Sequence, residues 1–154
     1  MKIKKFFQQN ASWVVLICLV FLFSILSPNF RTIGNFINIL RQVAVNGIAA
    51  VGLSIILISG GIDLSTGSQA AVSGMICSML VVNASWPTVP AIIVAVLVNA
   101  LVFGLLNGCF IAFTEMPPLI ATLGTMNIAR GAAYLINGGY TVYGLPDGAK
   151  VIGQ

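Results

Sequence analysis

Residues 89–113, "VPAIIVAVLVNALVFGLLNGCFIAF", run for 25 positions without an acid or a base. A helix rises 1.5 Å per residue, so about 20 apolar residues cross the hydrocarbon core of a bilayer. This run is long enough to span, and it does not alternate as a barrel strand would. Working outward, four further apolar runs occupy residues 12–26, 43–58, 67–82 and 119–136. Lipid cannot satisfy exposed backbone polar groups, so each is expected to be helical. The expected fold class is all-α, a polytopic transmembrane helical bundle of about five spans, with residues 1–154 as one transmembrane domain.

Composition agrees: 58% of residues are hydrophobic, 6% are charged and histidine is absent. Such a chain calls for a lipid bilayer as its solvent. Three of the seven basic residues, Lys2, Lys4 and Lys5, crowd the N-terminus. That cluster reads as an orientation signal, placing the N-terminus in the cytoplasm, because nucleic-acid binders carry a broad basic surface that is missing here. No nucleic-acid partner is expected. Over the rest of the chain the charges do not decide orientation, since Arg31, Arg41 and Lys150 balance the three lysines. The opening basic residues and apolar run could be a cleaved secretory signal, but the run is longer than a signal core, lacks a small-x-small site and precedes further spans. Cys18, Cys77 and Cys109 sit within apolar runs and are expected to be small buried hydrophobes. No metal and no cofactor is expected.

Between the first two runs, residues 29–43 ("NFRTIGNFINILRQV") place Phe30, Ile33, Phe36, Ile37, Leu40 and Val43 at helical spacing. Two readings fit: an amphipathic helix lying in the interface, or an N-terminal extension of the second span. Small residues recur at every fourth position in the later spans: Asn46, Ala50 and Ser54; Ala70, Gly74 and Ser78; Ala100, Gly104 and Gly108; Ala121, Thr125, Ala129 and Ala133. Such rows let helix backbones approach closely, so a tightly packed bundle is expected. The first span is bulky and has no such row, as suits a lipid-facing or peripheral helix.

The second and third runs are separated by "SGGIDLSTGSQ" (residues 59–69), which holds Asp63, one of only three acids. Gly60 and Gly61 are expected to end the second helix, and Thr66 with Gln69 matches a capping box at the start of the third. Asp63 can accept hydrogen bonds from free N–H groups near that start and so order the break. The alternative is that it lines a substrate or ion path, since intramembrane acids and broken helices often mark transport sites. Pro117 and Pro118 separate the fourth helix from the fifth. Polar residues within spans are Asn46, Ser54, Asn99, Asn107, Thr122, Thr125, Asn127 and Arg130. They either hydrogen-bond between helices or line a polar path for a hydroxyl-rich solute, for which Asn46, Asp63, Asn107, Thr122, Thr125 and Asn127 are the candidates. Arg130 is expected to face protein, water or headgroups.

Catalysis is not expected. With no histidine and only Asp63, Glu115 and Asp147 as acids, there is no triad, carboxylate pair or metal cluster. There is also no glycine-rich phosphate loop, so any nucleotide-driven step belongs to another subunit.

"GGIDLSTGS" (60–68), "GLLNG" (104–108) and "PPLIATLGTMNIARG" (117–131), in this order, resemble the inner-membrane permease subunits of bacterial ribose, xylose, arabinose and galactoside ABC importers. The likeness covers nearly the whole chain. Thr66 stands where the family commonly has valine, Leu119 where it has phenylalanine, and Thr114-Glu115 where it has lysines. The resemblance implies a type II ABC importer permease, of which this sequence is expected to be the N-terminal half, without the cytoplasmic ATPase-docking segment. It also implies the partners: a second permease copy, cytoplasmic ABC ATPase subunits, a periplasmic sugar-binding protein and a monosaccharide substrate. Two rivals are an ion-coupled secondary transporter using Asp63, and a piece that inserts but transports nothing.

Overall fold

The computed structural model describes residues 10–152. The lysines Lys2, Lys4 and Lys5 lie outside the described residues. All regular structure among those described is helical. The chain divides into two compact units, Met1–Gly47 and Ile48–Gln154.

In the first unit, α1 (Ala11–Leu26) is apolar on every face, and its large side chains from Trp13 to Leu26 are exposed. Its sequence has no small-residue row, and none of its residues is buried. Ser27 is extended and a 3-10 turn follows at Pro28–Arg31, which returns Phe30 to within 5.8 Å of Phe23, ring centre to ring centre. Thr32 then caps α2 (Ile33–Ile58): its hydroxyl oxygen accepts from the Asn35 N–H at 3.3 Å, satisfying one of the free donors of a helix start. Because α2 is one continuous helix of 26 residues, the segment around residues 33–43 extends the second span and is not a separate interfacial helix.

The second unit contains the remainder of α2, then α3 (Thr66–Val82), α4 (Thr88–Asn99), a π-helical turn (Ala100–Gly104), α5 (Leu105–Thr114), α6 (Pro118–Leu135) and the short α7 (Asp147–Ile152). The expected fourth span is thus a rod of 27 residues, Thr88–Thr114, with a π-turn in its middle. This rod and α2 are long and apolar enough to cross a membrane, whereas α1 and α3, with 16 and 17 residues, are shorter apolar helices. At 1.5 Å per residue they reach about 24–26 Å, slightly less than the hydrocarbon core.

The core of this unit is small-sided and sits where α3 packs on α4 and α6. Val72, Phe103 and Ala129 form its centre, with Ile76, Ala132, Ala133 and Ile136 around them. The small row on α6 behaves as expected: Ala121, Thr125 and Ala129 are buried. The rows on the other three elements do not: on α2, Asn46, Ala50 and Ser54 are all exposed. On α3 the buried residues are Ser68, Val72 and Val81, while Ala70 and Gly74 are exposed; on the α4–α5 rod they are Ala91, Ala95, Phe103 and Asn107, while Ala100, Gly104 and Gly108 are exposed. Spacing identifies a face but not which face meets a neighbour, and the π-turn rotates the rod halfway along. The cysteine expectation also fails in part, since Cys77 is half-buried but Cys18 and Cys109 are exposed on apolar helix faces.

Candidate functional site

The break between α2 and α3 is closed by a Schellman motif. Gly61 N–H donates to Ile56 O and Gly60 N–H to Leu57 O, both at 3.0 Å, and Gly60 adopts φ +84°. That left-handed backbone is why a glycine stands there. A Cβ on Gly61 would come within 3.1 Å of Ile56 Cγ2, so the second glycine gives room for the chain to fold back on its own helix. The chain is then irregular until Thr66.

Asp63 fixes this segment. Its Oδ1 accepts from the Ser65 N–H at 2.7 Å and from the Ser65 hydroxyl at 2.5 Å. The cap of α3 is therefore Ser65, one residue earlier than the box built on Thr66, and Gln69 N–H donates to Ser65 O at 2.9 Å. Gln69 does not reach back to a cap backbone N–H as a capping box requires. Its Nε2 donates instead to Ser65 Oγ at 2.6 Å.

Ser65 is fully buried and three elements meet on its hydroxyl. Besides Gln69, Asn107 Nδ2 donates to it from α5 at 3.3 Å. Asn107 Oδ1 accepts from the Thr125 hydroxyl of α6 at 2.6 Å, and Gln69 Oε1 accepts from Asn99 Nδ2 at the end of α4 at 3.4 Å. The Thr122 hydroxyl lies 2.8 Å from Pro118 O on its own helix and 3.2 Å from Ile62 O of the break. Thr122 and Thr125 can stand on the buried stripe of α6 because Pro118, at the first helical position after Pro117, starts the helix in that register, as expected. Among the described residues, Asn99 Oδ1 is buried without a partner. Hydrogen bonds to a charged group contribute about 1.5–3 kcal/mol each, neutral ones about half that, and a buried polar group left alone costs a similar amount.

Beside this network lies a cavity of about 400 Å³. Asp63, Gln69, Asn107 and Thr122 line it together with the Ser59–Ile62 backbone. Of the six path candidates, Asp63, Asn107, Thr122 and Thr125 are thus gathered at one place. Asn127 is exposed and turns its amide to Leu123 O of its own helix at 2.9 Å; Asn46 is exposed within the other unit. Ser65, the hub, was not among the expected site residues, and Asn99 and Gln69 join it in roles that spacing did not show. Arg130 is exposed and lines a second cavity.

Residues 35–147 match the family model described as branched-chain amino acid transport system / permease component. Among curated proteins, the chain is similar to the ribose import permease protein of Haemophilus influenzae, 35% identical over 151 residues that make up 97% of this chain and 46% of that one. The ribose import permease protein of Bacillus subtilis is 38% identical, with 90% and 42% covered, and the xylose transport system permease protein of Escherichia coli is 38% identical, with 78% and 30% covered. The chain spans about half the length, or less, of these relatives. No solved structure matches.

Proposed function

Since this chain belongs to the branched-chain amino acid transport system / permease component family, we propose that it serves the permease subunit of an ATP-driven monosaccharide importer in the bacterial inner membrane. Support for a sugar as the solute comes from the relatives, whose names specify ribose, galactose, allose and xylose. The subunit does no covalent chemistry. It works beside a second permease copy, with cytoplasmic ATPase subunits supplying energy and a periplasmic sugar-binding protein delivering the solute, and with its N-terminus in the cytoplasm.

The observation that carries the reading is the broken helix. An irregular stretch at Gly61–Ser65, pinned by Asp63 and flanked by a cavity whose wall includes Asp63, Gln69, Asn107 and Thr122, is tolerated in a membrane only where protein or a water-filled space surrounds it. Asp63, Asn107 and Thr122 on the cavity wall offer acceptors and donors to a hydroxyl-rich solute, and alternating access then needs that space to open to each side in turn. The test is sugar uptake into proteoliposomes that hold the full-length permease with its ATPase and binding protein. Uptake is expected to require internal or external ATP according to orientation and to ignore an uncoupler; uptake without ATP that an uncoupler abolishes would overturn the proposal in favour of an ion-coupled transporter.

A further inference from the structure

The larger cavity of the second unit, about 720 Å³, lies between α3, α6 and residues 139–142, and no candidate path residue lines it. Its volume falls within the range of small-molecule sites. Among the described residues, Arg130 is the one charged residue on its wall. Among the described residues this guanidinium has neither a hydrogen bond nor an ion pair. The three acids of the chain do not serve it: Asp63 is held by Ser65, Asp147 pairs with Lys150 at 2.8 Å, and Glu115 lies before Pro118, the start of α6, which is itself about 18 Å along the helix axis from Arg130. An arginine on an apolar helix is expensive without a polar partner.

The rest of the wall suggests what that partner is. Tyr134, one turn after Arg130 on α6, and Tyr140, on the segment that follows, also line it, and both are largely exposed. Opposite them, α3 contributes Ser68, which is buried, and Ser78. The Ser78 hydroxyl donates to Gly74 O at 2.8 Å, leaving its lone pairs free to accept. A lone guanidinium without a second cation is a poor phosphate cluster, but a planar fork of donors in a cavity that also holds tyrosine rings and hydroxyl acceptors matches a neutral polyol. We propose that this cavity is a monosaccharide subsite in which the Arg130 fork donates to adjacent sugar hydroxyls while a tyrosine ring covers the sugar's C–H face. The inference rests on the importer reading and gives it a specificity-determining residue.

The experiment uses the full-length permease complex in proteoliposomes with saturating sugar-loaded binding protein, reading sugar moved per ATP hydrolysed. Arg130→Met is expected to lower this ratio about tenfold, the loss of roughly one charge-assisted hydrogen-bonding pair, while ATP hydrolysis persists. Arg130→Lys is expected to restore little, because a point charge cannot reproduce the fork. Tyr140→Phe keeps the ring and is expected to match the parent, whereas Tyr140→Ala lowers the ratio. Full rescue by lysine would assign Arg130 to a headgroup phosphate or an acid elsewhere and overturn the subsite, as would unchanged ratios in Arg130→Met and Tyr140→Ala. If Arg130→Met fails to accumulate, the Tyr140 pair decides in the same way. A parent complex that moves no sugar overturns the importer reading itself, and the subsite with it.

Discussion

Ser65 has one hydroxyl proton and two lone pairs, and the structure uses all of them: it donates to Asp63 and accepts from Gln69 and Asn107. Replacing it with alanine removes three hydrogen bonds in a buried place and strands two amide donors. Ser65→Ala is expected to destabilise the second unit by about 2–3 kcal/mol, read as a fall in thermal midpoint of the purified protein. Asp63→Ala leaves the Ser65 N–H and hydroxyl without their acceptor, so it should reduce the level of folded protein in the membrane more than it changes the choice among sugars; normal level and uptake would show that Asp63 does not hold the break. Much of this site was legible, since Gly60, Gly61 and Asp63 form an unusual polar insert in an apolar chain. Ser65 was not. The capping-box spacing favours Thr66 with Gln69, whereas one partner of Ser65, Asn107, stands 42 positions away on α5 and cannot be read locally.

At the scale of elements, the π-turn decides which side chains face α3. Eight residues of regular helix would leave Asn107 rotated about 80° from Asn99, but a π-turn takes back roughly one residue's 100°, so the two lie within about 20° of one face. That is how both reach α3, at Gln69 and Ser65. Deleting one residue within Ala100–Gly104 should give a regular helix in which seven residues again leave the two asparagines within about 20° of one face, so Asn107 should stay on Ser65. Recovery of folded protein well above that of Asn107→Ala, measured by size-exclusion chromatography in detergent, is the expected result. Glu115, which ends α5, adopts the left-handed conformation at φ 55°. Glu115→Gly relieves the Cβ clash and is expected to stabilise the protein by about 1 kcal/mol, seen as a raised thermal midpoint. The helices themselves were legible because their apolar runs are long. The π-turn was not, since "NALVFGLL" reads equally well as regular helix, and so the small row at Ala100, Gly104 and Gly108 was assigned to the wrong face.

For the molecule as a whole, few side chains are buried while large apolar ones such as Phe21, Val45, Leu105 and Phe113 remain exposed. This inverts the habit of a soluble domain and follows from a solvent as apolar as the side chains, in which close packing replaces the hydrophobic drive. Stability should therefore depend on the few packed positions. Phe103→Ala, at 4% exposure, is expected to cost about 3 kcal/mol, and Phe113→Ala, at 82%, close to nothing, in thermal melts of the two variants. Membrane class was plain from composition because it depends on sums, whereas the burial of each face depends on neighbours. One property of the network at the break emerges only from the sense of its bonds. Thr125 donates to Asn107, Asn107 to Ser65, Asn99 to Gln69, Gln69 to Ser65, and Ser65 to Asp63. Every link runs one way and ends on the carboxylate. A carboxamide gives its protons from nitrogen and receives at oxygen, so it cannot hand on what it accepts. The three amides therefore insulate Asp63 from any proton relay across the bundle, and the carboxylate acts as a fixed sink that keeps the break in one shape.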